Sequence, residues 1–325
     1  MNEIKIMDVS LRDGGYLNNW QFCKEQVKRV CSILDDIKID YIEVGYLSDE
    51  LCLGMDNKIA LELLAEIKKN ICHSQLVLMV NPKNKTVRNK VFDFSDYISY
   101  IRIPCDFTNL KNALILAESI KKTNIKVSLN LISITQYNYD ELLDFIASIS
   151  NSNLIDMIYV ADSRGSLRPR EVLEIIRTIK LYFHKKIGFH AHNNLGLAFA
   201  NTLMSIKAGC ELVDGSMNGV GLGGGNTHTE LLLRYVKGMD TGCSRVEAST
   251  REFVQLLNLV KPEGLERQLY RLSAAKNLEQ EWVPPLMEKY RNDSLAVIER
   301  ISRKSYKNCE DIHEILLNTR REVHA

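Results

Sequence analysis

Residues 157–192, MIYVADSRGSLRPREVLEIIRTIKLYFHKKIGFHAH, contain the repeating unit that decides the fold. Residues 157–162 form a short β-rich run that predicts a strand, and residues 186–192 form a second one. Between them, residues 169–183 have helical periodicity, with Pro169 in the first turn, where a helix tolerates a missing N–H. A strand, a helix and another strand in this order are typical of a parallel βαβ unit.

The same alternation extends toward both ends of the chain. Strands are predicted at 4–11, 41–46, 75–80, 97–104, 126–134, 157–162, 186–192 and 211–217. Helices are predicted at 23–36, 56–70, 109–122, 138–150, 169–183, 195–208 and 226–238, with a short, weakly helical segment at 85–92. Eight βα units within about 240 residues favour the α/β class and a closed (β/α)8 TIM barrel over an open doubly wound sheet.

The rest of the chain has a different pattern. Residues 243–325 are helical and charged, with a break expected at the Trp-Val-Pro-Pro segment, 282–285. We therefore predict two domains, a TIM barrel over residues 1–242 and a C-terminal helical domain over residues 243–325.

The composition excludes several classes of protein. The 325 residues include 42 Lys and Arg against 41 Asp and Glu, a balance that argues against nucleic acid or a membrane as a partner. No run approaches the roughly 18 apolar residues of a membrane span. The eight cysteines include no CxxC pair, which disfavours a zinc ribbon or a disulfide scaffold. A reduced, cytoplasmic location is expected.

Polar residues follow the predicted strands unevenly. The first strand ends in Arg12-Asp13, the second contains Glu43, the seventh ends in His190-Ala-His192, and the eighth leads into the loop 219–226, GVGLGGGN. In a closed barrel the eighth strand pairs with the first, so these strand ends are neighbours around the ring. The polar groups should converge on one sector of the barrel mouth.

His190 and His192 are two residues apart on a strand, so their side chains leave on the same face. With the carboxylate of Asp13 they suit a catalytic divalent ion, and the residue types alone leave Mn²⁺, Mg²⁺, Co²⁺ and Zn²⁺ open. The alternative is that one histidine is a core residue bonded to a backbone carbonyl and that the other faces water.

Arg12 and Glu43 are the charged candidates beside this site. Arg12 suits a substrate carboxylate or a developing enolate oxygen, or else it forms a salt bridge at the barrel rim, with Glu43 as a candidate partner. Glu43 lies in the apolar run Tyr-Ile-Glu-Val-Gly, where an unpaired carboxylate would be costly. Its partner is either Arg12 or a metal-bound water.

The glycine-rich loop 219–226 matches GxGxxG, but a dinucleotide-binding loop belongs in the first βα unit. We interpret Gly221, Gly223 and Gly224 as substrate-binding residues whose backbone N–H groups face an anion, with Asn226 near the metal. A purely structural tight turn is the alternative.

Five motifs in this order resemble those of the DRE-TIM metallolyases, the superfamily of metal-dependent pyruvate aldolases, hydroxymethylglutaryl-CoA lyases and isopropylmalate synthases. The motifs are LRDG at 11–14, IEV at 42–44, ADS at 161–163, HAHNNLG at 190–196 with ANT at 200–202, and the loop 219–226. The segments YIRI at 100–103 and HAHNNLGLA at 190–198 are similar to the branch of 4-hydroxy-2-oxovalerate aldolases.

The resemblance implies the reaction and the roles of the site residues. A divalent ion, with Mn²⁺ favoured, would be bound by Asp13, His190 and His192 with Asn226 as a fourth ligand, while Arg12 would stabilise a pyruvate enolate near Glu43. Tyr16 stands where similar aldolases have an acid/base histidine, so the catalytic acid/base is Tyr16, Glu43 or a metal-bound water. The implied reaction is reversible carbon–carbon cleavage of a 4-hydroxy-2-oxo acid into pyruvate and an aldehyde.

Partners and alternatives complete these expectations. The implied partners are the small-molecule 2-oxo acid and aldehyde and at least one further copy of the chain, as a homodimer or larger assembly. An aldehyde dehydrogenase partner is not assumed, because residues 272–277 are unlike the corresponding tail of the degradative aldolase. A Claisen-type acyl-CoA synthase or lyase and a non-catalytic homologue are the alternatives, the latter supported by Tyr16.

Overall fold

The computed structural model describes residues 3–48, 51–84, 86–238 and 244–301. These residues form ten strands: β1 Lys5–Asp8, β2 Tyr41–Leu47, β3 Leu51–Cys52, β4 Met55–Asp56, β5 Gln75–Val80, β6 Ile98–Cys105, β7 Lys126–Leu131, β8 Met157–Asp162, β9 Lys186–Ala191 and β10 Leu212–Gly215. All except β3 and β4 run parallel, and β1 pairs with both β2 and β10. The sheet is therefore closed, and the predicted (β/α)8 TIM barrel is confirmed.

Helices follow the barrel strands as predicted. They are α1 Lys24–Asp36, α2 Asn57–Asn70, α3 Val87–Lys90, α4 Leu110–Ile120, α5 Tyr139–Ser150, α6 Pro169–Tyr182, α7 Ala198–Ala208 and α8 Thr229–Lys237, followed by α9 Ser244–Leu257, α10 Gly264–Ala275, α11 Val283–Tyr290 and α12 Ser294–Arg300. The N-termini of two helices show how the local sequence marks a helix boundary. Asn138 and Glu141 form a reciprocal capping box on α5, and Pro169 occupies the first turn of α6.

The order of strands around the barrel is β1, β10, β9, β8, β7, β6, β5, β2. The carboxyl ends of β9, β10, β1 and β2 are thus neighbours, whereas β7 lies four strands from β1 and faces it across the barrel. A layer of buried apolar side chains separates strands from helices, and a smaller cluster fills the barrel interior, including Met7, Val77 and Tyr159.

A short hairpin between β2 and α2 was not predicted. Strands β3 and β4 pair antiparallel with each other, and β3 adds to the end of β2. Strands of two residues are too short to show a hydrophobic period, which is why the sequence pattern gives no sign of them. The hairpin matters because its turn residue Leu53 is buried against Gly45 and its Gly54 contacts Trp20.

The C-terminal segment is helical, as predicted. Helix α9 contributes Val246 and Phe253 to the core around the barrel, whereas α10, α11 and α12 enclose a second apolar cluster built on Leu269, Trp282 and Ile298. At the Trp-Val-Pro-Pro segment, where a break was expected, the 3-10 turn Gln280–Trp282 ends and α11 begins, with prolines in its first turn, where no N–H is needed. The predicted domain boundary at 242/243 lies outside the described residues, and the division into two domains stays a prediction.

The helices of the described ranges do not meet the requirements of a membrane span. None of them is long and apolar enough to cross a bilayer.

Packing of the barrel can be tested with a matched pair of variants. Ile158 on β8 is fully buried, so Ile158→Ala should lower the free energy of unfolding by about 2–5 kcal/mol, through lost apolar burial and the cavity left behind. Leu181→Ala, which truncates a side chain that is 68% exposed, should change it by less than about 0.5 kcal/mol. Urea unfolding followed by circular dichroism gives both values; equal losses in the two variants would contradict the packing described.

Candidate functional site

The two histidines of the HAH segment meet at the barrel mouth. His190 is near the end of β9 and His192 follows it, and their Nε2 atoms are 3.4 Å apart. Both side chains are buried. The alternation of side chains along a strand brings the pair onto one face, as predicted.

Asp13 and Asn226 complete a compact group around these imidazoles. The Asn226 Nδ2 donates to Asp13 Oδ2 at 2.5 Å, and the same carboxylate oxygen lies 4.0 Å from His192 Nδ1. A β-bridge between His192 and Asn226 holds the glycine-rich loop beside β9. Among the described residues, Asp13, His190 and His192 are the group whose ligand atoms all lie within 4.8 Å of one another, as a metal site requires.

The donor atoms of this group fit a divalent cation. His192 Nδ1 and Asn226 Oδ1 are buried without a hydrogen-bond partner in the structure, and such orphaned lone pairs are costly unless a ligand uses them. Burial is the main cause that lowers the pKa of His192 to about 4, so its imidazole is neutral at pH 7. Burial alone would raise the pKa of Asp13, but Arg12, the two histidines and the hydrogen bond from Asn226 together outweigh it and bring the value to about 2. Neutral imidazoles and an ionised carboxylate are the forms that bind metal.

Arg12 lies beside this group and joins two carboxylates. Its Nε donates to Glu43 at 2.6 Å and its Nη1 to Asp13 at 2.5 Å. Both Arg12 and Glu43 are buried, so this is not an exposed rim salt bridge, and Arg12 is one of the partners of Glu43. The second Glu43 oxygen, Oε1, has no hydrogen-bond partner in the structure.

Arg102 is a buried residue whose role the sequence analysis missed. It extends from β6 and donates to Glu43 at 3.1 Å and to Asp214, at the end of β10, at 2.9 Å. Its guanidinium also lies over the ring of Tyr159, 4.1 Å from the centroid. The available signal was a charged residue inside the apolar runs Ile-Arg-Ile and Leu-Val-Asp-Gly, the same signal that singled out Glu43.

Asp214 connects this charge network to the candidate metal ligands. It accepts from Tyr159 Oη at 2.6 Å, and His190 Nδ1 lies 2.9 Å from its other oxygen. Burial alone would raise the pKa of Asp214, but Arg102 and the hydrogen bond to His190 hold it below its ordinary value. An ionised Asp214 keeps the proton of His190 on Nδ1 and leaves the Nε2 lone pair available to a metal ion.

Tyr16 borders the site on its outer side together with a second tyrosine. The hydroxyl groups of Tyr16 and Tyr46 are 3.1 Å apart, and both rings pack edge-on against Trp20. Burial, with a contribution from Tyr46, raises the pKa of Tyr16 far above the ordinary phenol value, so its hydroxyl is protonated at neutral pH. Tyr46, at the end of β2, was not recognised in the sequence because it belongs to no motif.

These side chains line a cavity of about 710 Å³ at the carboxyl ends of the strands. The candidate ligands Asp13, His190 and His192 lie on one side of it, with Arg12 and Tyr16. Such a volume is in the range of small-molecule sites.

Comparison with known proteins agrees with this geometry. The family profile described as HMGL-like matches residues 3–260. The chain belongs to the HMGL-like family. A 4-hydroxy-2-oxovalerate aldolase from Geobacillus thermodenitrificans is 34% identical over 250 residues, 74% of this chain and 72% of the relative, and one from Brevibacillus brevis is 34% identical over the same shares. The resemblance inferred from the motifs is confirmed.

Solved structures show the same fold. The N-terminal domain of a candidate aldolase from Bacteroides vulgatus has a TM-score of 0.76 and 28% identity, covering 90% of this chain and 99% of that one. The carboxyl transferase domain of Rhizobium etli pyruvate carboxylase, solved with pyruvate, has a TM-score of 0.71 and covers 92% of this chain and 55% of that one. Its identity of 16% supports a shared fold and no more.

The glycine-rich loop of this HMGL-like chain brings its backbone close to the candidate metal ligands. A Cβ at Gly221 would lie 2.4 Å from Asn226 Nδ2 and 2.5 Å from Asp13 Oδ2, so a larger residue there would displace the candidate ligands. The Gly224 N–H, expected to face an anion, donates instead to Asn194 Oδ1 at 2.6 Å. Substrate binding by Gly221 and Gly223 stays a prediction.

The segment beyond the family match also reaches the cavity. Glu279 accepts hydrogen bonds from Arg164, Ser133 and Gln136 at 2.6–3.0 Å, which fastens it to the loops after β7 and β8. Gln280 donates to the Ser163 carbonyl at 2.7 Å. Together with Glu281 they form part of the cavity wall, which the sequence analysis did not anticipate.

The buried charge network gives a stability prediction. Arg102→Met should leave Glu43 and Asp214 without their shared cation and lower the free energy of unfolding by about 3–5 kcal/mol. Arg170→Met, which removes a side chain that is 89% exposed from its pair with Glu174, should cost less than about 1 kcal/mol. Urea denaturation at pH 7.5 measures both, and similar small losses would show that the network is not needed for the fold.

Proposed function

We propose that this protein is a divalent-metal-dependent aldolase that joins pyruvate to an aldehyde, or cleaves the resulting 4-hydroxy-2-oxo acid. The observation that carries the proposal is the buried group of Asp13, His190 and His192 with Arg12 hydrogen-bonded beside it. The relatives named 4-hydroxy-2-oxovalerate aldolases support the same reaction class.

The candidate ligands define what the ion would do. Asp13, His190 and His192 would hold it, with the free oxygen of Asn226 as a fourth ligand. When bound, a divalent ion supplies positive charge that polarises the 2-oxo group. Nitrogen and oxygen ligands leave several divalent ions open, and we propose Mn²⁺ because the resemblance to metal-dependent pyruvate aldolases favours it. The proposal also includes an assembly of at least two copies and a cytoplasmic location.

Arg12 would stabilise the negative charge that develops on pyruvate. Its Nε and Nη1 are held by Glu43 and Asp13, so the planar guanidinium cannot rotate away. The remaining Nη2 has no hydrogen bond to the described residues and is free to donate to a carboxylate or enolate oxygen. A fixed donor aimed at developing charge needs no reorganisation during the reaction.

Tyr16 would transfer the proton at the aldehyde oxygen. In the condensation direction a base, for which we propose Glu43 with its unpartnered Oε1, would first take a methyl proton from pyruvate. The enolate carbon then attacks the aldehyde carbon, and the oxygen left behind needs a proton. Tyr16 carries one at neutral pH, and the Tyr46 hydroxyl 3.1 Å away can replace it. In cleavage the relay would run in reverse, from the 4-hydroxyl through Tyr16 and Tyr46 to solvent water. The pair thus does the work that a histidine does in similar aldolases.

The Claisen-type alternative has less support. The cations lining the cavity among the described residues are Arg12 and Arg102, and both are already paired with buried carboxylates. Neither is available for the phosphate groups of an acyl-CoA.

Pyruvate activation has a direct test. With Mn²⁺ in D₂O, the protein should exchange the methyl protons of pyruvate, as followed by ¹H NMR, and a chelator should stop the exchange. His192→Ala should weaken metal binding by at least ~100-fold, since loss of a ligand exceeds loss of its supporting contacts. His184→Ala, at an exposed histidine, is the control and should match the wild type. Absence of exchange in metal-loaded wild-type protein would rule out this function.

Tyr16 can be tested separately from pyruvate activation. Tyr16→Phe removes the hydroxyl but keeps the ring, so condensation with an aldehyde should fall by about 10²–10⁴-fold. Methyl-proton exchange, which does not involve the aldehyde oxygen, should fall by less than ~10-fold. Tyr16→His should recover condensation. Equal losses in exchange and condensation for Tyr16→Phe would mean that Tyr16 acts elsewhere.

A further inference from the structure

The cavity wall that faces the candidate metal ligands has a distinct composition. Strand β7 lies opposite β1 and β6 lies opposite β10, so the loops after β6 and β7 form the far wall. The C-terminal residues Glu279, Gln280 and Glu281 extend this wall. A pyruvate held near Arg12 would leave the space along this wall for the aldehyde.

That space is large for a short aldehyde. The whole cavity has a volume of about 710 Å³, in the range that encloses drug-sized ligands. Pyruvate and a two-carbon aldehyde are far smaller than such ligands. The volume therefore favours a longer second substrate.

The far wall combines an aromatic surface with hydrogen-bonding groups. Phe107 and Tyr137 pack with ring centroids 4.2 Å apart and present their rings to the cavity. Around them lie side chains that can donate or accept hydrogen bonds, namely Asn81, Asp106, Thr108, Ser133, Gln136 and Ser163. Thr108 and Ser133 already donate to Asp106 and Glu279, but a hydroxyl oxygen keeps a lone pair for a further donor. Hydroxyl groups of a substrate would bond to such oxygens, whereas an alkyl aldehyde would not.

The charges on this wall are all of one sign. Asp106, Glu141 and Glu281 line it, and the cations lining the cavity among the described residues are Arg12 and Arg102, on the side of β1 and inside the barrel. Glu279 is paired with Arg164. Glu281 is exposed at the edge of the cavity, where partial desolvation and the nearby Glu279 raise its pKa. A phosphate or carboxylate on the aldehyde would be repelled here.

We propose that the aldehyde substrate is a hydroxylated, uncharged aldehyde of the aldose type, without a phosphate or carboxylate group. This inference rests on the proposed aldolase function. Its hydroxyl groups would donate to the wall carboxylates and bond to the neighbouring polar side chains, while its C–H groups would pack on the Phe107 and Tyr137 rings.

Three aldehydes of equal carbon number test the proposal: propanal, glyceraldehyde and glyceraldehyde 3-phosphate. With wild-type protein, Mn²⁺ and pyruvate, the 4-hydroxy-2-oxo acid products are quantified by mass spectrometry. We expect kcat/KM for glyceraldehyde to exceed that of the other two by at least ~10-fold, as expected for a site that pairs substrate hydroxyls.

The control measurement is exchange of the pyruvate methyl protons in the same samples. Exchange without a preference for glyceraldehyde, or with a preference for propanal or the phosphate, would overturn the substrate class and leave pyruvate activation intact. Lack of exchange would overturn the aldolase function itself, and with it this inference.

A charge reversal tests the wall directly. Glu281→Lys should raise the ratio of kcat/KM for glyceraldehyde 3-phosphate over glyceraldehyde by at least ~10-fold, because it places a cation where the phosphate would lie. Glu288→Lys makes the same change at an exposed position on α11 and should keep the wild-type ratio. An equal ratio in both variants would show that the charge of this wall does not select the aldehyde.

Discussion

The buried charge network inside the barrel is the constraint on which the rest of the site depends. Glu43 lies between Arg12 and Arg102, and Asp214 lies between Arg102 and His190. Ions buried this deeply are tolerated only when each is paired, so the positions of these side chains are mutually determined. This buried charge network connects β1, β2, β6, β10 and β9. It orients both the guanidinium of Arg12 and the imidazole of His190.

The candidate catalytic groups extend from this framework toward the cavity. Asp13 and His192 lie beside His190 on the inner side of the site. Tyr16 and Tyr46 lie on its outer side and pack against Trp20. The unpredicted hairpin of β3 and β4 backs this aromatic group through Gly54. Tyr16, which stands where the resemblance implies a histidine, is therefore accompanied by a local structure that supplies a second hydroxyl.

Different parts of the chain are proposed to bind the two substrates. The groups proposed to bind pyruvate lie within residues 3–260, the part that matches the HMGL-like family. The opposite wall is completed by Glu279, Gln280 and Glu281, which follow that part and are fastened to the barrel through Arg164 and Ser163. In the proposed reaction, the matched part of the chain thus holds the pyruvate groups and most of the opposite wall, and residues 279–281 complete the part of that wall proposed to select the aldehyde.

The sequence by itself determined the eight βα units, the common face of His190 and His192, and the sector where Asp13 joins them. These features follow from short-range rules, namely periodicity, caps and the alternation of side chains along a strand. Only the tertiary structure decided which charges pair, that Tyr46 meets Tyr16, and that Glu281 faces the cavity. Arg102 and Asp214 are 112 residues apart, and no local pattern records which of many charged residues will meet once the barrel closes.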